Sequence, residues 1–531
     1  MGRLVGIDLG TTNSALAIFE AGEPVIITLA DGARTMPSVA AITPRGEHIV
    51  GRLAKRQATQ NPKGTFYSVK RLIGRRPGDP ELKPIQEALA FRITRDTETE
   101  GVLVVLPDGK TVPPPAVSAV ILRSLKDQAE AYIGEPVTDA VITVPAYFKD
   151  PQRQATMEAG RIAGLNVLRI INEPTAAALA YSLEKSHTDR TVLVYDLGGG
   201  TFDVSVLRIE KSLIKVLATD GDTWLGGDDF DRAVTNHLLA AFEREHGIDL
   251  STDVSALGRF REASEQARIE LSSMNSTDVN LPFIYATPAG PINFLCTLTR
   301  AQLESLTNRL VQSTREPLEK ALDAAGLDPA DIDDVLLVGG MTRMPAVQRL
   351  VESFFGAAKI RRNINPDEAV ALGAAVQGAL ITQDVRNLVI LDKTAHSLGI
   401  ELIRNGMSVI IDGNTTIPTT RTRDGYSTPE PYLQYVSIDI RQGESDLASE
   451  NTLIGQFNFG PLEGAKTGHA FLQVKFDIDV NGHLEVEAQE VFPNRPGVPG
   501  RKANYTVNHS TTLTEGQLKA AKRWLSDGHR P

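Results

Sequence analysis

The chain has 531 residues, 41% of them hydrophobic and 23% charged, with a formal net charge of -11. That length and composition predict a globular chain of about two to four domains, and the acidic balance argues against a nucleic-acid partner, whose binders carry a basic surplus or stripe. The single cysteine, Cys296, excludes an intramolecular disulfide and a cysteine-built metal site, and no run approaches the roughly 18 apolar residues of a membrane span.

The first predicted element is an apolar run that stops at an aspartate, turns through glycine and hydroxyl residues and resumes as a strand: Val5-Gly-Ile-Asp8-Leu-Gly10-Thr11-Thr12-Asn13-Ser14, then Ala15 to Ile18. With no basic and then apolar leader ahead of it, no secretory signal is expected, and a cytoplasmic location follows. Val141 to Val144 reads as a strand and Pro151 to Ala163 as a helix with small residues on one side. The opening pattern then repeats as Leu193-Val-Tyr-Asp196-Leu-Gly198-Gly199-Gly200-Thr201-Phe-Asp203, resuming at Val204 to Leu207. Further on, Glu265, Arg268 and Ser272 share one helix face, which is either a solvated surface or the edge of a nucleoside pocket. Val335 to Val338 is a strand leading into Gly339-Gly340-Met341-Thr342-Arg343, where glycine permits close approach of a base and Arg343 can stack on it, and a helix follows near Pro345 to Phe355. Alternating strands and helices as far as residue 383 predict an α/β architecture.

Beyond that the pattern changes. Val385 to Asp392 is short and apolar, and reads either as a buried edge strand or as a linker that docks in one state and is released in another. Residues 393 to 512 carry period-two strands and predict an all-β sandwich. Thr514 to Gln517 has capping-box spacing, and Leu518, Ala521, Trp524 and Leu525 form an apolar stripe on a short final helix.

Two glycine-tipped hairpins facing each other would clamp a nucleoside triphosphate. Bare backbone N–H groups can approach its phosphates, and an aspartate at a strand end can hold hydrated Mg2+ against them. Asp8 and Asp196 suit that role with Asp203 nearby, while Thr11, Thr12 and Thr201 can donate hydroxyls. No Walker-type phosphate loop occurs, since the nearest run, Gly460 to Thr467, places its lysine one position late.

Several motifs together make the chain resemble the seventy-kilodalton heat-shock chaperone family, nearest its bacterial DnaK type: Ile7-Asp-Leu-Gly-Thr-Thr-Asn-Ser14, Val69-Lys70-Arg-Leu-Ile-Gly74, Thr143-Val-Pro145-Ala-Tyr-Phe148, Ile171-Asn-Glu173-Pro-Thr-Ala-Ala177, Asp196 to Asp203, and Asn365 to Gly373. The resemblance implies an actin-like two-lobed ATPase domain over 1–383, an apolar linker over 384–392 (Leu388, Val389, Ile390, Leu391, Asp392), a peptide-binding β-sandwich over 393–512 and a short helical remnant of a lid over 513–531. It implies ATP or ADP, Mg2+ and flanking K+ as ligands. Lys70 would orient or help activate the attacking water, Glu173 would sit beside the phosphates, Thr201 would touch the γ-phosphate, and Asp8, Asp196 and Asp203 would hold cations through water. Glu265, Arg268, Ser272, Gly340, Arg343 and Asp367 would surround adenosine. Pro145 would be a switch, and Arg169 would lie near the surface that meets the linker and a J-domain partner. Ile400, Ile403, Val436, Ile438, Phe457 and Leu472 would line the peptide pocket, although spacing alone makes them sandwich core equally well. Unfolded polypeptides, a J-domain co-chaperone and a nucleotide exchange factor are the implied partners.

The chain departs from that family in carrying only the short final helix, in Lys393 and Thr394-Ala-His396 after the linker, and in the loop Ser427 to Pro431. These put substrate preference in doubt more than hydrolysis. The resemblance thus implies an ATP-driven chaperone; the alternative is a hydrolytically slow, nucleotide-regulated peptide holder or co-chaperone.

Overall fold

The computed structural model describes residues 2–79, 82–184, 189–288, 290–386, 388–480, 482–495, 497–498, 500–507 and 511–528. Asn387 of the expected linker and the last three residues of the final segment lie outside them.

The chain opens as an antiparallel meander of β1 (Arg3–Asp8), β2 (Asn13–Glu20) and β3 (Glu23–Ile26). Helix α1 (Pro114–Ile133) leads to β4 (Val137–Val144), and α2 (Asp150–Ile162) leads to β5 (Asn166–Asn172). β4 lies parallel to β1 and β5 parallel to β4, giving the order β5-β4-β1-β2-β3. β4 is apolar without interruption from Ala140 to Ile142, as a parallel strand covered on both faces must be.

The same order is then built a second time. After α3 (Glu173–Glu184), β6 (Arg190–Leu197), β7 (Phe202–Glu210) and β8 (Leu213–Asp222) form another meander. Past helix α4 (Val254–Leu271), β9 (Asp334–Val338) runs parallel to β6. Helix α5 (Ala369–Ile381) packs against α3 and across β1 and β2. A Cβ on Gly373 would sit on the Ala176 carbonyl, so only glycine lets α5 approach α3 this closely.

β10 (Val389–Lys393) joins the second sheet parallel to β8, with Leu213 opposite Val389 and Lys215 opposite Leu391. At its other end Asp392 and Lys393 pair antiparallel with Ile417 and Thr416. The segment is therefore an edge strand and a connector at once.

Eight strands complete the next unit: β11 (Leu398–Glu401), β12 (Met407–Ile411), β13 (Thr419–Ser427), β14 (Val436–Gln442), β15 (Thr452–Phe459), β16 (Phe471–Ile478), β17 (Leu484–Val491) and β18 (Lys502–Thr506). They form two antiparallel sheets, β12-β11-β14-β15 and β13-β16-β17-β18, around one shared core that includes Ile440, Phe476 and Val486. Burial alternates along β16 and β17, as the period-two pattern predicts.

Helix α6 (Glu515–Gly528) follows the predicted capping box, with Gln517 N donating to Thr514 Oγ1 and Thr514 N to Gln517 Oε1. Its apolar stripe lies against α1 and α2, within the core of the first sheet and away from the sandwich. The Trp524 and His48 ring centres are 4.3 Å apart. Leu513 N, just before the helix, donates to Glu158 Oε1 at 2.9 Å. No described helix is long and apolar enough to cross a membrane.

Candidate functional site

The β1–β2 and β6–β7 turns meet tip to tip. A Cβ on Gly199 would strike the Thr12 hydroxyl and one on Gly200 would strike Thr11, so bare backbone here is a steric requirement. Between the turns and the α4 face lies a cleft of about 310 Å³. Of the expected nucleotide residues, Asp8, Gly10, Thr11, Thr12, Asn13, Lys70, Glu173, Asp196, Gly198, Gly199, Thr201, Glu265, Arg268, Gly340, Arg343 and Asp367 line it together. Gly200, Asp203 and Ser272 do not. The Gly200 carbonyl is taken by Arg71, Asp203 faces the Tyr147 N–H, and the Ser272 hydroxyl turns back onto the Arg268 carbonyl at 3.1 Å.

At the phosphate end the charges are buried. Lys70 Nζ donates to Glu173 Oε1 at 2.6 Å, with both side chains under one-tenth exposed. Asp8 ends β1 and accepts from Thr143 Oγ1 at 3.3 Å, while Asp196 and Asp203 face each other across the β6–β7 pair. Burial, then the neighbouring Glu173, pushes the Asp8 and Asp203 carboxyls up to about 7, and the same two causes raise Asp196 well above the usual carboxylate range. Four carboxylates against one lysine leave an excess of negative charge in a low-dielectric place, so the cluster favours a cation. Among the described residues no three such side chains converge tightly enough to ligate one ion directly. The donor set therefore fits a hydrated Mg2+ held through its waters.

At the other end, Arg268 grips Asp231 with two hydrogen bonds (2.6 and 3.0 Å), Lys55 pairs with Glu265 at 2.7 Å, and Arg343 pairs with Asp367 at 2.7 Å. Glu265 and Arg268 thus face the cleft from α4, and the solvated-surface reading does not hold for them.

Three residues join this cleft to the rest of the chain without any sequence signal of their role. Arg71 is buried and donates from Nε (3.1 Å) and Nη2 (2.9 Å) to the Gly200 carbonyl while pairing with Asp229, so it ties the second turn to the first sheet's body. Arg153 is half-buried between the cleft's carboxylates and the connector. It bonds the Phe148 carbonyl and Asn172, and its charge is felt by Asp203 and Asp392. Tyr147, two residues beyond Pro145, donates its N–H to Asp203 at 2.9 Å.

The connector residues are docked. Leu388 and Ile390 pack on the core between the two sheets, Val389 is 55% exposed, and Leu391 is half-buried. Asp392 Oδ2 accepts from Asn172 Nδ2 at 3.0 Å and Thr175 Oγ1 at 3.3 Å. Arg169 Nη2 reaches the Val480 carbonyl of the sandwich at 3.2 Å. Further contacts across this junction are Lys149 to Thr452 (2.7 Å), the Asp150 N–H to Gln442 (3.1 Å) and the Thr219 N–H to Asn414 (2.9 Å).

In the sandwich, Ile400, Ile438 and Leu472 share one core, with Val436 and Phe457 packed at its margin. Ile403 is 66% exposed in the turn after β11 and is not brought to them. Phe457 lies opposite Ile438 on the edge strand β15, stacked 4.7 Å from Tyr505. Tyr426, not anticipated, pairs with Leu472 and bonds Ser408 at 2.8 Å, linking the two sheets beside Ile400.

Duplicated sheets with facing glycine turns, a cleft lined by bare backbone and buried carboxylates, and one edge strand shared with a β-sandwich are the features of a nucleotide-binding protein with a second module. A family model described as Hsp70 protein matches residues 4–521, and the chain belongs to that family. Hsp70 proteins are ATPases and ATP-dependent chaperones that bind nucleotide, typically with Mg2+, and act on unfolded polypeptides together with co-chaperones.

Proposed function

We propose that this chain is an ATP-hydrolysing chaperone of the DnaK type, with two actin-like lobes closing on Mg·ATP and a sandwich that takes up extended apolar peptide. The observation that carries the reading is β10, which is hydrogen-bonded to β8 and to Thr416–Ile417 of the sandwich at once, with Asp392 reaching Asn172 and Thr175.

In this reading the turn backbone and Thr11, Thr12 and Thr201 hold the phosphates. Lys70, paired with Glu173, orients the attacking water in line with the γ-phosphate. Asp8, Asp196 and Asp203 would hold Mg2+ through water, and the ion would supply neutralisation of the phosphate oxygens. Arg268, Arg343 and Asp367 frame the nucleoside. ATP favours the docked arrangement in which β10 lies in the second sheet and the peptide groove is open; hydrolysis releases β10 and tightens the groove around an apolar side chain near Ile400, Val436, Ile438 and Leu472. A J-domain protein would act near Arg169, an exchange factor would reopen the cleft, and the setting would be cytoplasmic.

The test is the dissociation rate of a bound apolar peptide with ATP and with ADP. Faster release with ATP is expected, and equal rates refute the reading. Placement of α6 on the first sheet's body, away from the sandwich, favours a second reading as a slow, nucleotide-regulated holder. Acceleration of single-turnover hydrolysis by a J-domain protein decides against that one.

A further inference from the structure

His396 sits at the junction between the sandwich and the first sheet's body, 5% exposed. Its Nε2 lies 3.2 Å from the Tyr147 carbonyl oxygen, and its ring meets the Tyr147 ring edge-on at 4.3 Å. A carbonyl only accepts, so Nε2 is the donor here, while Nδ1 turns toward Glu444, 3.8 Å away. Glu444 is itself fixed, accepting from the Ser397 N–H and hydroxyl at 2.8 Å each. The imidazole is thus held from the sandwich side and aimed at one main-chain oxygen across the junction.

Tyr147 has its other main-chain group committed as well. Its N–H donates to Asp203 Oδ1 at 2.9 Å, and Asp203 lies opposite Asp196, which lines the cleft. The run Asp203, Tyr147 main chain, His396, Glu444, Ser397 therefore leads from the cation side of the cleft into the sandwich through direct contacts. Fixing the Tyr147 backbone from one side restricts the conformations it can present on the other.

We propose that His396 is a positioning residue that couples docking of the sandwich to occupancy of the cleft, acting through the Tyr147 main chain on Asp203. Asp203 stands across the β6–β7 pair from Asp196, which lines the cleft, so a ligand that orders this hairpin fixes the Tyr147 N–H and leaves the carbonyl oriented for His396. By linkage, a docked His396 must favour cleft occupancy by the same factor. This rests on the reading that Mg·ATP is the ligand of the cleft.

The experiment compares wild type, His396→Leu and His396→Gln as full chains. The readout is the rate at which limited proteolysis cuts the connector around 388–393, without nucleotide and with saturating Mg·ATP, expressed as a protection ratio. Leucine fills the same space against the Tyr147 ring but cannot donate, whereas the glutamine Nε2–H can reach the same carbonyl. His396→Leu is expected to lower the ratio by about fivefold, the worth of one neutral hydrogen bond, and His396→Gln to stay within about twofold of wild type. An unchanged ratio in His396→Leu overturns the assignment, as does an equal fall in both variants, which would make the residue a packing element. A wild-type ratio of one is a different failure: nucleotide then does not control docking, and the proposed function itself falls.

Discussion

The docking of α6 should depend on pH through one carboxyl group. Glu158, near the end of α2, is 3% exposed; its Oε1 accepts the Leu513 N–H, and its Oε2 has no hydrogen-bond partner among the described residues. Burial pushes this carboxyl from an ordinary 4.5 up to about 7, against smaller opposing effects of the Leu513 N–H and Arg161. With α6 detached the group is hydrated and returns to its ordinary value. A value raised in the docked state means docking is fully stabilised below about 4.5 and loses that stability as pH rises through about 7. At about 1.4 kcal/mol per pH unit, the difference is worth about 3 kcal/mol, so the docking constant falls about tenfold per unit between pH 5 and 7 and then levels off. His483, in the sandwich and set against Met157 of α2, is also raised, by Asp479, so the Glu158→Gln variant is needed to assign the pH dependence to Glu158. The chain has two tryptophans, so Trp224→Phe leaves Trp524 as the reporter of α6. Because the His48 ring lies against Trp524, acrylamide quenching is a better readout than emission intensity. Trp524 should become accessible as pH passes about 7 in the Glu158 protein and stay protected to pH 8 in Glu158→Gln. Identical quenching profiles in the two proteins would refute the reasoning.

Lys70→Ala should slow single-turnover hydrolysis by more than about a hundredfold while ATP still binds, because a water-orienting charge acts mainly on the transition state. The same change strands Glu173 in a buried place and should lower stability by about 3 kcal/mol, partly restored in Lys70→Ala/Glu173→Gln, as thermal melts will show. Lost ATP binding with unchanged turnover per bound ATP would contradict the role. Val436→Phe should weaken peptide affinity in the ADP state with basal ATPase intact; a fall in basal ATPase instead would make Val436 structural. Gly199→Ala drives a Cβ into the Thr12 hydroxyl and should weaken Mg·ATP binding about tenfold or more, measured by calorimetry, with nucleotide-free peptide affinity unchanged. Wild-type nucleotide affinity in that variant would mean that the two turns do not meet around the phosphates.

The repeated hairpin was legible because its constraint is local: an apolar strand, an aspartate and a bare turn leave few alternatives, and the second sheet repeats the order of the first. The strands of the sandwich were legible through their period of two. What the pattern does not carry is the partner of a face. The α6 stripe announced that one side is buried, but the surface that buries it, on α1 and α2, is set by chain segments hundreds of residues earlier. Phe457 pointed inward as an alternating strand requires, yet alternation does not say at which edge of the sandwich it lies. Arg71 and Arg153 looked like ordinary charges because burial and pairing are tertiary facts, and Ser272 shared a helix face with Glu265 and Arg268 yet spends its hydroxyl on its own helix. For the stretch ending at Asp392, edge strand and linker were set apart as alternatives, and the chain uses it as both.

That double use makes the signal between the two halves of the molecule stepwise. Residues alternate sides along a strand, so Leu388 and Ile390 face the core between the sheets while Val389 looks outward. A one-residue slip in the pairing of this strand with β8 would turn the wrong faces inward, and no partial slide offers an intermediate fit. The strand therefore works as a toothed key that either seats in its notch or stays out of it.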